Sequence, residues 1–184
     1  MKWYAGIGSR KTPKSILTLM FKIALILSEK GYSLRSGGAD GADTAFEKGC
    51  LANEGNMEIY LPSTTFNKRD TKNPSYISID ILNNYYKAEK IARKFHPAWE
   101  RLSDFAKKLM IRNTYQILGE KLDKPAKFVV CWTPDGCTNH KERSINTGGT
   151  GQAISMANAY NIPVFNLFND EHKERLTKFV NNKG

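Results

Sequence analysis

Apolar and polar positions along the chain change period repeatedly, from the two-residue rhythm of strands to the three-to-four-residue rhythm of helices. Residues 2–8 (Lys-Trp-Tyr-Ala-Gly-Ile-Gly) read as a short strand running into glycines. Thr12 followed by Pro13 is an N-cap with a first-turn proline, so a helix is expected to about Lys30, stopped by Gly31. Residues 32–35 are a second strand, 41–53 a second helix, and 57–61 a third strand ended by Pro62. Residues 62–96 break the rhythm. Asn73-Pro74, the adjacent Asn83 and Asn84 and few aliphatic runs predict an irregular insertion with one short helix near 77–94. A connection of that length is expected to be functional or mobile.

From Pro97 onward Trp99, Leu102, Phe105, Ala106, Leu109, Met110 and Ile117 recur at helical spacing, which predicts an amphipathic helix ended by Gly119. Residues 127–132 (Lys-Phe-Val-Val-Cys-Trp) are a continuous apolar strand of the kind buried on both faces. A polar loop over 133–149, a small-residue helix over 150–160, a strand over 163–167 and a helix over 171–180 complete the chain. Such alternation predicts an α/β fold, a Rossmann-like three-layer sandwich. Its mostly parallel sheet would carry helices on both faces, with the insertion near 62–96. One domain is expected over 1–184, without internal repeats.

The apolar run over residues 15–27 could be mistaken for a leader. Lys22 interrupts it, no small-residue cleavage pattern follows, and it is too short to span a bilayer, so a buried helix is expected. Cys50, Cys131 and Cys137 are odd in number and form no CxxC pair, which argues for reduced thiols and a cytoplasmic location. Cys137 and His140 have finger-like spacing but no second ligand pair, so no metal site is expected.

Charge adds the first hint of a partner. Lys and Arg number 28 against 18 Asp and Glu, a formal net charge of +10. An excess of this size points to a polyanionic or phosphorylated partner. Half of it lies between Lys87 and Arg112, with eight basic residues against three acidic ones. Tyr76, Tyr85, Tyr86 and Phe95 lie in or beside that segment. Basic groups interleaved with aromatics suit stacked bases over a phosphate track, or a purine held beside its phosphate. A solvated helix face with inward-packed stems is the structural alternative.

Three glycine-rich turns carry the candidate chemistry: Gly6-Ile7-Gly8-Ser9-Arg10, Ser36-Gly37-Gly38-Ala39-Asp40-Gly41 and Thr147-Gly148-Gly149-Thr150-Gly151-Gln152. Each is expected at a strand's carboxyl end or a helix start, where amides converge and the helix dipole favours anions. None is a Walker A sequence or a clean dinucleotide fingerprint. Arg10 and Arg112 are the expected phosphate partners, because a guanidinium fork meets a phosphate at two points. Asp43 and Glu47 are four apart on one helix face and are candidate catalytic carboxylates; charges favourable to the helix N-terminus are their structural alternative.

Gly-Ser-Arg after the first strand resembles the opening motif of the DprA/Smf and LOG-like group, the SLOG superfamily. Ser36-Gly-Gly-Ala-Asp-Gly-Ala-Asp resembles the Ser-Gly-Gly-Ala-Arg-Gly-Ile-Asp signature of DprA, with Asp40 in place of the arginine. Arg112-Asn113 sits where DprA-like chains carry an Arg-Asn pair, and Thr147-Gly-Gly-Thr-Gly-Gln is similar to the later LOG glycine turn. Counting along the LOG pattern, the catalytic glutamate falls at Ser155.

The resemblance implies a Rossmann-like domain holding a nucleotide or nucleotide-derived ligand, with no additional cofactor. Gly6, Gly8, Ser9, Ser36, Gly37, Gly38, Asp40, Thr147, Gly148, Gly149, Thr150, Gly151 and Gln152 would line the phosphate pocket. Asp43 or Asn113 would contact ribose, and an aromatic from the insertion would stack on the base. The alternatives it implies are single-stranded DNA binding of the DprA kind and nucleoside monophosphate N-glycosidase activity of the LOG kind. It also implies a homodimer or larger homo-oligomer, and no membrane partner.

Overall fold

A computed structural model describes residues 1–182. Six strands form one all-parallel sheet: β1 (Lys2–Gly6), β2 (Tyr32–Ser36), β3 (Met57–Leu61), β4 (Tyr76–Ser78), β5 (Val129–Cys131) and β6 (Val164–Asn166), in the order β4-β3-β2-β1-β5-β6. The six helices are α1 (Lys14–Glu29), α2 (Ala42–Leu51), α3 (Tyr85–Lys94), α4 (Asp104–Leu118), α5 (Thr150–Ala159) and α6 (Asp170–Asn181). Successive connections move outward from β1 to β4, then the chain returns across β1 to β5. The order in which strands are added therefore reverses between β1 and β5, and in such sheets ligands bind in the crevice outside those strand ends.

Alternation along each strand divides the core in two. Tyr4, Leu34, Ile59, Leu61 and Val130 face α1, α2 and α6, where Met20, Ile23, Leu27, Phe46 and Leu176 are buried. Ala5, Ile7, Tyr60, Val129 and Cys131 face α3, α4 and α5, where Ile111, Tyr115, Ile154 and Met156 are buried. The three-layer α/β sandwich expected from the alternation is the architecture observed. Among the described residues no helix is long and apolar enough to cross a membrane.

Local chemistry moved several boundaries. The N-cap of α1 is Pro13 rather than Thr12, whose hydroxyl donates to Ser9 O at 2.7 Å and so braces the first glycine turn. α4 begins at Asp104 rather than Pro97. Residues 99–101 form a single 3-10 turn that buries Trp99, and Ser103 Oγ then accepts from the Ala106 amide at 3.2 Å. That serine cap satisfies a helix-start donor where the proline had been expected to open the helix.

The segment 62–96 is not a loose insertion. Residues 76–78 pair with β3 in register Ile59↔Tyr76 and Leu61↔Ser78 as an edge strand, and residues 85–94 are α3. Asn67 Nδ2 donates to Gly38 O and Asp40 Oδ1 at 2.9 and 3.1 Å, and Arg69 pairs with Glu47 at 2.9 Å. These bonds fasten the segment over the second glycine turn.

Candidate functional site

The first and third glycine turns meet at the β1–β5 reversal and enclose a cavity of about 490 Å3. Gly8, Ser9, Arg10, Asp43, Arg112, Asn113, Thr147, Gly148, Gly149 and Thr150 all line it. The first and second glycine turns, after β1 and β2, are pressed together. Gly41 has φ +82°, and a Cβ there would lie 2.9 Å from the Arg10 backbone, so glycine is required for both conformation and space. Ser9 shapes its turn: its amide donates to Trp132 O at 3.2 Å and its hydroxyl accepts from the Lys11 amide at 3.0 Å. At the opposite wall, α5 presents its amino end, where unpaired amides and the dipole favour an anion.

The cavity floor comes from α4, where Arg112 and Gln116 lie one turn apart on the same face. Arg112 Nη1 donates to Gly37 O at 2.6 Å, and the guanidinium lies 5.8 Å from the centre of the Phe66 ring. Five buried side-chain polar atoms among the described residues have no hydrogen-bond partner, and two of them, Arg112 Nε and Gln116 Nε2, belong to this floor. A buried donor without an acceptor costs about 1–3 kcal/mol. An acceptor that reached either atom would remove its cost. A larger hollow of about 670 Å3, at the other end of α4, is lined by Trp3, Arg35, Glu58 and Lys124. Its basic groups face the carboxylates of Glu58, Glu120 and Asp123, and Arg35 is already paired with Glu58 at 2.8 Å, so its size is not evidence of a ligand.

Asp43 is the carboxylate of the cavity. Its Oδ2 accepts from the Ala39 amide at 3.2 Å and stands 3.9 Å from Arg112 Nη2, too far for a hydrogen bond. Burial pushes its pKa up to about 6, against the opposing pull of Arg112, the Ala39 amide and Arg10. Burial also lowers the pKa of Arg112, but a guanidinium stays protonated throughout the accessible range. The floor therefore carries net positive charge whenever Asp43 is protonated.

Asp43 thus gives stability a defined pH dependence. Its folded pKa lies above its unfolded value, so the folded state holds the proton more tightly. The contribution is full below pH 3.8 and is lost as pH rises to about 6. The expected loss is roughly 3 kcal/mol relative to Asp43→Asn. Urea denaturation of both proteins between pH 4 and 7 measures it; parallel pH curves would refute the assignment.

Other expected site residues lie elsewhere. Gly6 is a packing glycine, since a Cβ there would lie 2.6 Å from Phe46. Ser36 Oγ donates to Gly6 O at 2.6 Å in the core. Gly37 leaves room for the Arg112 and Gln116 head groups, and Gly38 sits under Asn67. Asp40 is exposed and bonded to Asn67. Glu47 accepts from Arg69 and from Tyr76 Oη at 2.9 and 2.8 Å, so both its oxygens serve the fold. Gly151 and Gln152 do not line the cavity; Gln152 Oε1 accepts from Asn113 Nδ2 at 3.0 Å and orients it.

No insertion aromatic lines the cavity either. Tyr76 is committed to Glu47, and Tyr85 and Phe95 pack against the core. Lys11, Leu109, Met110, Gln116, Pro134, Ile145 and Asn146 line it without having been expected. Gln116 was within reach of the sequence, since it stands four residues after Arg112.

No family model matches the chain, and no curated protein matches its sequence. Among solved structures it is similar to DNA processing protein A from Helicobacter pylori, described for its single-stranded DNA binding mode. The identity is 18%, over 97% of this chain and 72% of that one, with a TM-score of 0.57. It is also similar to a Northeast Structural Genomics Consortium target, at 19% identity over 89% of this chain and 72% of that one, with a TM-score of 0.46. The fold is therefore a DprA-like Rossmann fold.

Proposed function

We propose that the protein binds a nucleotide or nucleotide-derived ligand in the glycine cavity, its phosphate held by Arg112, Gln116, Arg10 and the amino end of α5. The observation that carries this reading is the pair of buried, unpaired donors, Arg112 Nε and Gln116 Nε2, on one cavity floor. A phosphate supplies several acceptor oxygens to such donors and matches the fixed positive charge. The cavity volume suits a small ligand. Leu109 and Met110 form its apolar wall, with the exposed Ile145 at the rim, and take the part expected of an aromatic.

Calorimetric titration against mono-, di-, cyclic and ADP-ribose-type nucleotides tests the proposal, and no binding across that panel refutes it. Gln116→Leu separates binding from folding. It is expected to weaken nucleotide binding about tenfold while leaving the unliganded protein equally stable or about 1 kcal/mol more stable, because the unpaired buried donor is gone. Unchanged affinity in a folded Gln116→Leu protein would remove Gln116 from the site.

A second reading has its own support. The cavity rim carries the exposed Arg10 and Lys11, the net charge is +10, and the H. pylori protein of similar fold binds single-stranded DNA. Under this reading an oligonucleotide binds with an affinity that falls steeply with salt, by a slope near 0.7 per phosphate contacted. Oligonucleotide binding that is absent or insensitive to salt excludes it. Mass spectrometry of incubated nucleotide tests the N-glycosidase alternative: release of free base, lost in Asp43→Asn, would assign turnover to the same cavity.

A further inference from the structure

A separate cavity of about 640 Å3 shares no lining residue with the glycine cavity. It lies between the turn after α3, the polar loop before α5, and α5 itself. Four basic side chains line it, Lys94, His96, His140 and Arg143, and no carboxylate does. The remaining wall is partly apolar, from Phe95, Pro97 and Ala159.

Arg143 is held in place from behind. Its Nη1 donates to Phe95 O at 2.8 Å and to Ser155 Oγ at 3.1 Å, and Ser155 Oγ donates on to Gly151 O at 3.0 Å. A Cβ at residue 151 would lie 2.7 Å from Arg143 Nε, so this glycine serves as the seat of the arginine. Both hydrogen bonds of the guanidinium use Nη1 and Nε packs on Gly151, which leaves Nη2 for a ligand. His96 Nδ1 accepts from the Ala98 amide at 3.2 Å, so the neutral ring carries its proton on Nε2.

We propose that this cavity is an anion site, binding a phosphate or carboxylate carried on a small apolar body between Arg143 and His96. Arg143 is a held cation with no carboxylate among its neighbours in the cavity wall, and an anion there would supply the missing counter-charge. Its charge is felt at His96, whose pKa is lowered by burial first and by Arg143 second. The other charged or titratable groups facing this cavity are Lys94 and His140. The apolar stretch of wall favours an ester or aryl acid over a bare ion.

Ring-proton NMR of the full chain, titrated at constant ionic strength, tests the site with two probes, inorganic phosphate and benzoate. Saturable shifts of the His96 signals and a rise in its pKa are expected, with His172 as an internal control outside the cavity. Saturation by phosphate alone identifies a phosphorylated ligand, and by benzoate alone a carboxylate. Arg143→Met is expected to weaken probe binding about tenfold to a hundredfold, while Arg143→Lys retains part of it. Nucleotide affinity at the glycine cavity is expected to fall much less than probe affinity, because Arg143 touches the wall of that cavity only from behind, through Gly151. If Arg143→Met fails to fold, His96→Gln read at His140 replaces it. Shifts that never saturate, wild-type probe affinity in the folded variant, or an equal loss at both cavities would each overturn the proposal.

Discussion

Arg112→Met is expected to weaken nucleotide binding by about a hundredfold to a thousandfold, the cost of removing one member of a buried, hydrogen-bonded charge pair. The guanidinium is almost wholly buried, donates to Gly37 O, and keeps a buried Nε without a partner. Methionine fills much of its volume against Phe66 but offers neither charge nor donors. Stability is expected to change less than binding. The bond to Gly37 O is lost, yet the buried, unpaired Nε disappears with it. The residual cost falls on Asp43, left without its nearest cation in a buried place. Asp43→Asn in the same chain is expected to recover that cost without recovering affinity. Calorimetry and urea denaturation of the two single variants and the double variant measure both effects. An Arg112→Met protein that binds nucleotide within threefold of the wild type would show that the phosphate does not rest on this floor.

The sequence carried the layer architecture because apolar period and helix stops are local signals. The β1, β2, β3, α5 and α6 segments fall within a residue or two of their expected bounds. β4 was not legible, because three residues in a stretch rich in asparagine and proline have no period of their own. Their strand conformation depends on pairing with β3, a contact distant in sequence. Glycine was ambiguous for a different reason. A missing side chain suits both an exposed amide that meets a ligand and a tight space between packed groups. Gly8 and Gly149 border the cavity, whereas Gly6 admits Phe46, Gly37 admits Arg112 and Gln116, and Gly151 seats Arg143. Basic and aromatic residues between Lys87 and Arg112 looked like one binding strip. They divide into a buried arginine, ion pairs such as Lys108–Asp80 at 2.6 Å, exposed lysines, and rings that either pack against the core, as Tyr85 and Phe95 do, or face solvent, as Tyr86 does.

The protein also contains a second deeply buried arginine, and comparing the two separates a structural group from a ligand-binding one. Arg35 is about 2% exposed. Its Nε donates to Glu58 Oε2 at 2.8 Å, its Nη1 to Lys124 O at 2.6 Å, and its guanidinium lies 4.7 Å from the Trp3 ring centre. Glu58 Oε2 also accepts from Tyr60 Oη at 2.7 Å. No nitrogen of Arg35 is buried without a partner, in contrast to Arg112. Arg35→Met should therefore act on folding. Breaking one side of a buried ion pair costs about 3–5 kcal/mol, and the partial exposure of Glu58 puts this pair at the lower end. Nucleotide affinity per folded molecule should stay at the wild-type value, because Arg35 lies outside the glycine cavity. Urea denaturation followed by calorimetry on the folded fraction distinguishes the two arginines. If Arg35→Met lost affinity while keeping its stability, pairing of buried donors would not be the property that divides them.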